Sequence, residues 1–267
     1  MSSGRQGRVL IIAGSDSGGG AGIQADIKTV TALGGYAATA VTAVTVQNTL
    51  GVLGVHPIPV EIIVAQARAV LDDIGADVIK TGMLGDAAVV EAVAALLEQA
   101  RIPAVIDPVM IAKGGASLLA PAALDAVRAR LVPLAALLTP NAPEAEALTG
   151  LRVETTDDLR RAGEALLTLG AQAVLMKGGH IDGPILTDIL MTPHGETLFT
   201  GPRLDTRHTH GTGCTLASAC AAGLAQGLGL ESAVARAWAY VAEAIRRAPG
   251  LGAGHGPLDH AWPMREG

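Results

Sequence analysis

Short apolar runs alternate with stretches of helical spacing almost from one end of this chain to the other, and this alternation most narrows its fold. Residues 9–13 form an apolar run ending in a glycine-rich turn, which reads as a buried strand. Residues 22–33 carry helical spacing and stop at Gly34-Gly35. Residues 36–46, rich in Val, Thr and Ala, read as a strand. The same reading predicts helix 60–73, strand 77–81, helix 87–100, strand 104–107, helix 122–131, strand 136–139 and helix 144–149. Helix 156–169 follows, with Thr155 or Thr156 as its cap, and then strand 173–177. Residues 185–192 and 196–200 read as a hairpin turning at His194-Gly195. Helices 212–228 and 231–247 complete the series, and the Gly/Pro-rich tail after Pro249 reads as loop.

Strands and helices in strict succession predict an α/β fold, with a mostly parallel sheet covered by helices on both faces. Composition agrees. Apolar residues make up 49% of the chain but aromatic residues only 2%, so Ala, Val, Leu and Ile must build the core. No long linker or internal repeat divides the 267 residues, and one domain spanning 1–267 is expected, with residues 1–8 flexible. In such folds ligands bind beyond the carboxyl ends of the strands. Functional residues are therefore expected just after strands.

The charge pattern narrows the partners. Net charge is −6 and the basic residues are dispersed, which argues against nucleic acid and against a membrane surface. Apolar stretches are interrupted well short of the ~20 residues that a membrane span needs. The first eight residues, MSSGRQGR, are polar and lead straight into a strand, so a cytoplasmic protein is expected. Cys214 and Cys220, on one helix, would lie about 9 Å apart along its axis and cannot pair.

Four segments carry chemistry. Gly14–Gly22 (GSDSGGGAG) joins the first strand to the first helix, where backbone N–H groups can cradle an anion or simply shape a tight turn. It matches neither the dinucleotide nor the P-loop pattern, and Asp16 occupies the place of a nucleophilic serine. Asn141 and Glu144 sit between a strand and a helix. They suit either a helix cap or the organisation of Mg²⁺ and its waters. Lys177 ends an apolar strand before two glycines, placed to reach a phosphate or to snorkel. His210-Gly-Thr-Gly-Cys214 precedes a helix of small residues. Its N–H groups at a helix N-terminus suit the charge on a transferring phosphoryl group. Cys214 in the first turn is expected to have a lowered pKa and to accept a proton, unless it is a small buried residue at a cap.

Seven segments occur in order: AGSDSGGGAGIQADIKT (13–29), TAVTVQNT (42–49), KTGML (80–84), IDPVM (106–110), TPNAPEAEAL (139–148), LMKGGH (175–180) and THGTGCT (209–215). Together with the ending GHGPLDH (254–260), this series resembles the bacterial hydroxymethylpyrimidine/phosphomethylpyrimidine kinases of thiamine biosynthesis, within the ribokinase-like superfamily. The resemblance runs from Val9 to about His260. It implies a three-layer α/β/α fold and ATP-dependent phosphorylation of 4-amino-5-hydroxymethyl-2-methylpyrimidine and then of its monophosphate. Gly14, Asp26 and Gln47 would enclose the pyrimidine, with Met83 packing on the ring. Asp107 would lie near the phosphates and metal, Asn141 and Glu144 would govern Mg²⁺ and phosphate, and Lys177 would approach the nucleotide. Gly211, Thr212, Gly213 and Cys214 would form the anion hole and base. Cys214 stands where many relatives carry Asp, which points away from sugar kinases. The adenine is expected near residues 241–248, and relatives suggest a homodimer.

Three other readings remain at this stage. A pyridoxine or pyridoxal kinase would share the same turn. A nucleotide-binding dehydrogenase would need the glycine pattern that is missing. A non-catalytic binding protein would leave ATP unconsumed.

Overall fold

The computed structural model describes residues 6–110, 118–120 and 122–265. Its centre is a nine-stranded sheet in the order β3-β2-β1-β4-β5-β6-β7-β8-β9. The six strands from β2 to β7 run parallel: β2 (Tyr36–Asn48), β1 (Arg8–Ser15), β4 (Val78–Thr81), β5 (Ala104–Ile106), β6 (Ala135–Leu138) and β7 (Val174–Met176). β3 (Gly51–Pro57) pairs antiparallel at one edge, and the hairpin of β8 (Ile185–Thr192) and β9 (Gly195–Pro202) closes the other.

Side chains alternate across a strand, so a strand buried on both faces must be apolar throughout. β1 shows this. Leu10 and Ile12 enter a core shared with α2 (Val60–Asp73), α3 (Ala87–Ala100), α4 (Ala123–Ala126), α5 (Ala142–Thr149) and α6 (Thr156–Thr168). Val9, Ile11 and Ala13 enter a second core, against α1 (Gly22–Ala32), α7 (Thr212–Ala225) and α8 (Leu230–Arg246). The expected three layers, with a mostly parallel sheet between helices, are what the chain forms.

α7 departs from ordinary amphipathicity, because ten of its fourteen residues are buried. It lies between the sheet, α1 and α8, and its Ala, Gly and Ser residues let those neighbours approach. A Cβ on Gly223 would sit 2.8 Å from Ala233 Cβ of α8.

Three parts of the chain differ from the sequence reading. Residues 51–57, to which it assigned no element, form the edge strand β3, with Leu53 and Val55 exposed and Val52 half-buried, so the segment lacks the buried pattern that signals a strand. Helix 122–131 is α-helical only over Ala123–Ala126 and continues as a π-turn over Val127–Leu131 and a 3₁₀ turn over Val132–Leu134. Pro133 has no N–H to continue the α-helical ladder there. Of the expected flexible segment 1–8, residues 1–5 lie outside the described residues, while Arg8 is fixed at the start of β1. Its guanidinium grips the Asp77 carboxylate through Nε (3.1 Å) and Nη2 (3.0 Å). Among the described residues, no helix is long and apolar enough to cross a membrane.

Candidate active site

Because β1, β2 and β4–β7 are parallel, their carboxyl ends share one edge of the sheet. A cleft of about 1020 Å³ opens at that edge. Gly14, Gln47, Met83, Asp107, Asn141, Glu144, Lys177 and the turn Gly211–Cys214 all line it. Residues up to 200 positions apart in sequence are thus brought together, each following the strand or opening the helix that the sequence predicted.

Lys177, just past β7, is almost enclosed. Its Nζ lies 3.0 Å from Asp107 Oδ1 and 3.7 Å from Glu144 Oε2. Asp107 Oδ1 also accepts from the Thr139 hydroxyl at 3.1 Å. Burial opposes the Lys177 ammonium, but Asp107 and Glu144 outweigh that penalty and its pKa is raised. Glu144 is pushed well above the usual carboxylate range, first by burial and further by Asp107, against the pull of Lys177. Glu144 and Asn141 also form a reciprocal capping box on α5. The Asn141 side chain accepts from Glu144 N (2.9 Å), and Glu144 Oε2 accepts from Asn141 N (2.8 Å). The structural reading of this pair is therefore correct, and the pair faces the cleft as well. Two carboxylates beside a cation are hard oxygen donors that suit Mg²⁺ completed by phosphate and water.

The Gly211–Cys214 turn begins α7. Gly211 adopts φ 84°, and a Cβ there would lie 1.8 Å from the Gly20 carbonyl oxygen. No other residue fits. A Cβ on Gly213 would stand 3.2 Å from Lys177 Nζ, so this turn and the lysine converge on one spot. Cys214 corrects the sequence reading. Its thiol is pushed up to about 12 rather than lowered, chiefly by burial. The positive charge of Lys80 and the Gly22 N–H work against this, while Asp26 and Asp107 reinforce it.

In the glycine-rich turn after β1 the tight-turn reading holds: three of its N–H groups are taken by the turn's own Asp16 carboxylate and are not free to cradle an anion. Oδ1 accepts from Gly18 N (2.7 Å), and Oδ2 from Gly20 N (3.0 Å) and Ala21 N (2.8 Å). His210 Nε2 lies 2.9 Å from the same oxygen. The Gln47 amide reaches His210 Nε2 at 3.3 Å and Thr45 Oγ1 at 3.2 Å.

Asp26 does not line the cleft. It is fully buried and accepts two hydrogen bonds from Lys80 Nζ, both at 2.9 Å, and one from Ser218 at 2.6 Å. Contrary to the expected contact with the pyrimidine, Asp26 lies behind the cleft wall, where it secures Lys80, which does line the cleft. Lys80 was missed, although a lysine inside the apolar run Val78-Ile79-Lys80-Thr81 is itself a signal that a partner waits in the core. Asp16 and His210 were read but not assigned. Their pairing across 194 positions left no local trace. Asp188, another cleft residue, accepts from Gly178 N at 2.8 Å and is pushed up to about 6 by burial; an alternating hairpin strand gave no hint of it. Met83 is fixed through its carbonyl, which accepts from the Thr42 hydroxyl at 2.6 Å. From the region expected to hold adenine, Val241, Ala242, Ile245 and Arg246 line the cleft.

Comparison with known proteins is consistent along the chain. Residues 16–259 match the family model described as phosphomethylpyrimidine kinase. A Streptomyces coelicolor hydroxymethylpyrimidine/phosphomethylpyrimidine kinase is 53% identical over 258 residues, covering 97% of this chain and 96% of the relative. Among solved structures, an ADP complex of Bacillus subtilis pyridoxal kinase superposes with a TM-score of 0.91 at 36% identity, over 98% of this chain and 100% of that one. A phosphomethylpyrimidine kinase from Clostridium difficile gives 0.80 at 42% identity, over 89% and 99%.

Proposed function

This chain belongs to the phosphomethylpyrimidine kinase family, and we propose that it transfers the γ-phosphoryl group of ATP to the 5-hydroxymethyl group of an aminopyrimidine, and then to the monophosphate so formed. The observation that carries this reading is the convergence of the Gly211–Cys214 turn and Lys177 on one spot in the cleft.

Phosphoryl transfer asks a protein for position and charge rather than covalent chemistry. The substrate hydroxyl oxygen attacks the γ-phosphorus in line, the bond to the bridging oxygen breaks, ADP leaves, and the hydroxyl proton passes to a phosphoryl oxygen or to water. Charge on the transferring group meets the N–H groups at the start of α7 and the Lys177 ammonium. Loss of one such donor costs about 10²–10³ in rate by analogy with other oxyanion sites. A loose transition state needs little early deprotonation of the hydroxyl, which suits Cys214 as a protonated thiol at neutral pH. Asp107 and Glu144 would hold Mg²⁺, directly or through water, and the metal would neutralise phosphate charge. Gln47, Met83 and Gly14 are the residues we assign to the pyrimidine.

A second reading, pyridoxal phosphorylation, is favoured by the close likeness to the Bacillus subtilis pyridoxal kinase. We also propose a homodimer through the sheet edge formed by β2, β3 and the turn between them, where Val46, Leu50 and Leu53 are 59%, 71% and 75% exposed.

A coupled assay with ATP and the hydroxymethyl aminopyrimidine tests the proposal. ADP release is expected, with product masses carrying one phosphate and then two. No ATP consumption, or turnover of pyridoxal alone, would overturn it.

A further inference from the structure

The Asp16 carboxylate is an unusual hub. It is 2% exposed, and its two oxygens meet four donors, three from its own turn and one from His210. The same turn supplies the carbonyl of Gly20, against which Gly211 packs with no room for a Cβ. The Asp16 side chain itself reaches the cleft through His210 and Gln47, at the end assigned to the pyrimidine.

Counting protons sharpens this. An ionised carboxylate can only accept, so the His210 nitrogen 2.9 Å away carries a hydrogen. That nitrogen then cannot accept from the Gln47 amide nitrogen 3.3 Å from it. Thr45 has one hydroxyl proton, and the Ser15 carbonyl oxygen 2.9 Å away takes it. The Gln47 amide oxygen, 3.2 Å from Thr45 Oγ1, then also faces a lone pair. With its nitrogen at His210 and its oxygen at Thr45, Gln47 meets like with like at both ends. The amide turned by 180° removes both clashes: its N–H donates to Thr45, and its oxygen becomes the second, longer acceptor of the single His210 Nε2–H, whose main acceptor is Asp16.

We propose that Asp16 is a positioning residue for substrate recognition: it fixes the proton of His210 on Nε2, and through it the orientation of the Gln47 amide that meets the pyrimidine. One N–H and one lone pair of Gln47 remain for the ligand. The consequence for turnover rests on the pyrimidine kinase reading; the proton positions do not.

Two measurements test it separately. In the ligand-free protein, ¹⁵N NMR of the histidines, with His210→Asn to identify the signal, should show a proton on His210 Nε2. A bare Nε2 would overturn the proposal whatever the substrate is. In Asp16→Asn, one carboxylate oxygen becomes an amide nitrogen that repels a donor. The His210 ring signal should change, and KM for the aminopyrimidine should rise at least about tenfold, the scale of one unsatisfied buried hydrogen bond. Binding of a non-hydrolysable ATP analogue should stay within about twofold of wild type, the scatter of a distant site. If Asp16→Asn fails to fold, Thr45→Val removes the acceptor at the far end of the amide and should raise the same KM severalfold. An unchanged pyrimidine KM in the folded variant, or equal losses for both ligands, would overturn the positioning role. Failure of the wild-type enzyme to use the pyrimidine would instead strike at the functional reading.

Discussion

At Cys214, two local effects compete and burial wins. A helix N-terminus favours a thiolate by a fraction of a charge, whereas removing the thiolate from water costs more. The thiol is pushed up to about 12, so it stays protonated at neutral pH and titrates only in strong alkali. Iodoacetamide should therefore label Cys214 in the ligand-free protein far more slowly than an ordinary thiol of pKa about 8.5, with a rate that climbs about tenfold per pH unit beyond pH 9. Mass mapping of the labelled cysteine checks this, and fast labelling at neutral pH would show an activated thiolate. The sequence showed the cysteine and its turn. It could not show Lys80, Asp26 and Asp107 around it, because those arrive from a strand, a helix and a second strand. Asp26 teaches the same lesson in reverse. The resemblance gave it a contact with the pyrimidine, and only the tertiary structure reveals Lys80 waiting opposite in β4.

At the scale of elements, α5 illustrates how one pair of residues serves both structure and site. Asn141 and Glu144 close a capping box and also face the cleft. The two roles separate by substitution. Asn141→Ser retains an N-cap oxygen and should leave stability to urea within about 0.5 kcal/mol, whereas Asn141→Ala should cost about 1 kcal/mol. If Asn141 also serves the nucleotide, both variants should lose turnover to a similar degree. Full activity in Asn141→Ser would leave it as a cap alone. Elements buried on one or both faces were legible from their periodicity, and helices Val60–Asp73 and Ala87–Ala100 fall where the pattern placed them. β3 was not, since an exposed edge strand carries no burial signal.

At the scale of the whole molecule, the parallel run of six strands does the organising, for it brings every strand's carboxyl end to one edge and so assembles the cleft. The exposed apolar edge formed by β2, β3 and the turn between them belongs to this scale too. Because Leu53 is 75% exposed, Leu53→Asp should leave the monomer's fold intact yet shift sedimentation from dimer to monomer at micromolar concentration. A wild-type chain that sediments as a monomer would refute the dimer. The alternation of apolar runs and helical spacing determined the layers and the parallel sheet without help, because burial periodicity is a local property written into neighbouring residues. The order of the chemical segments likewise determined the family and which loops would meet. What only the tertiary structure decided was the state of the groups that meet: an elevated rather than activated thiol at Cys214, a glycine turn wrapped on its own Asp16, and an Asp26 spent on Lys80. Charge, solvation and hydrogen-bond partners depend on neighbours tens to hundreds of residues away, and no window along the chain contains them.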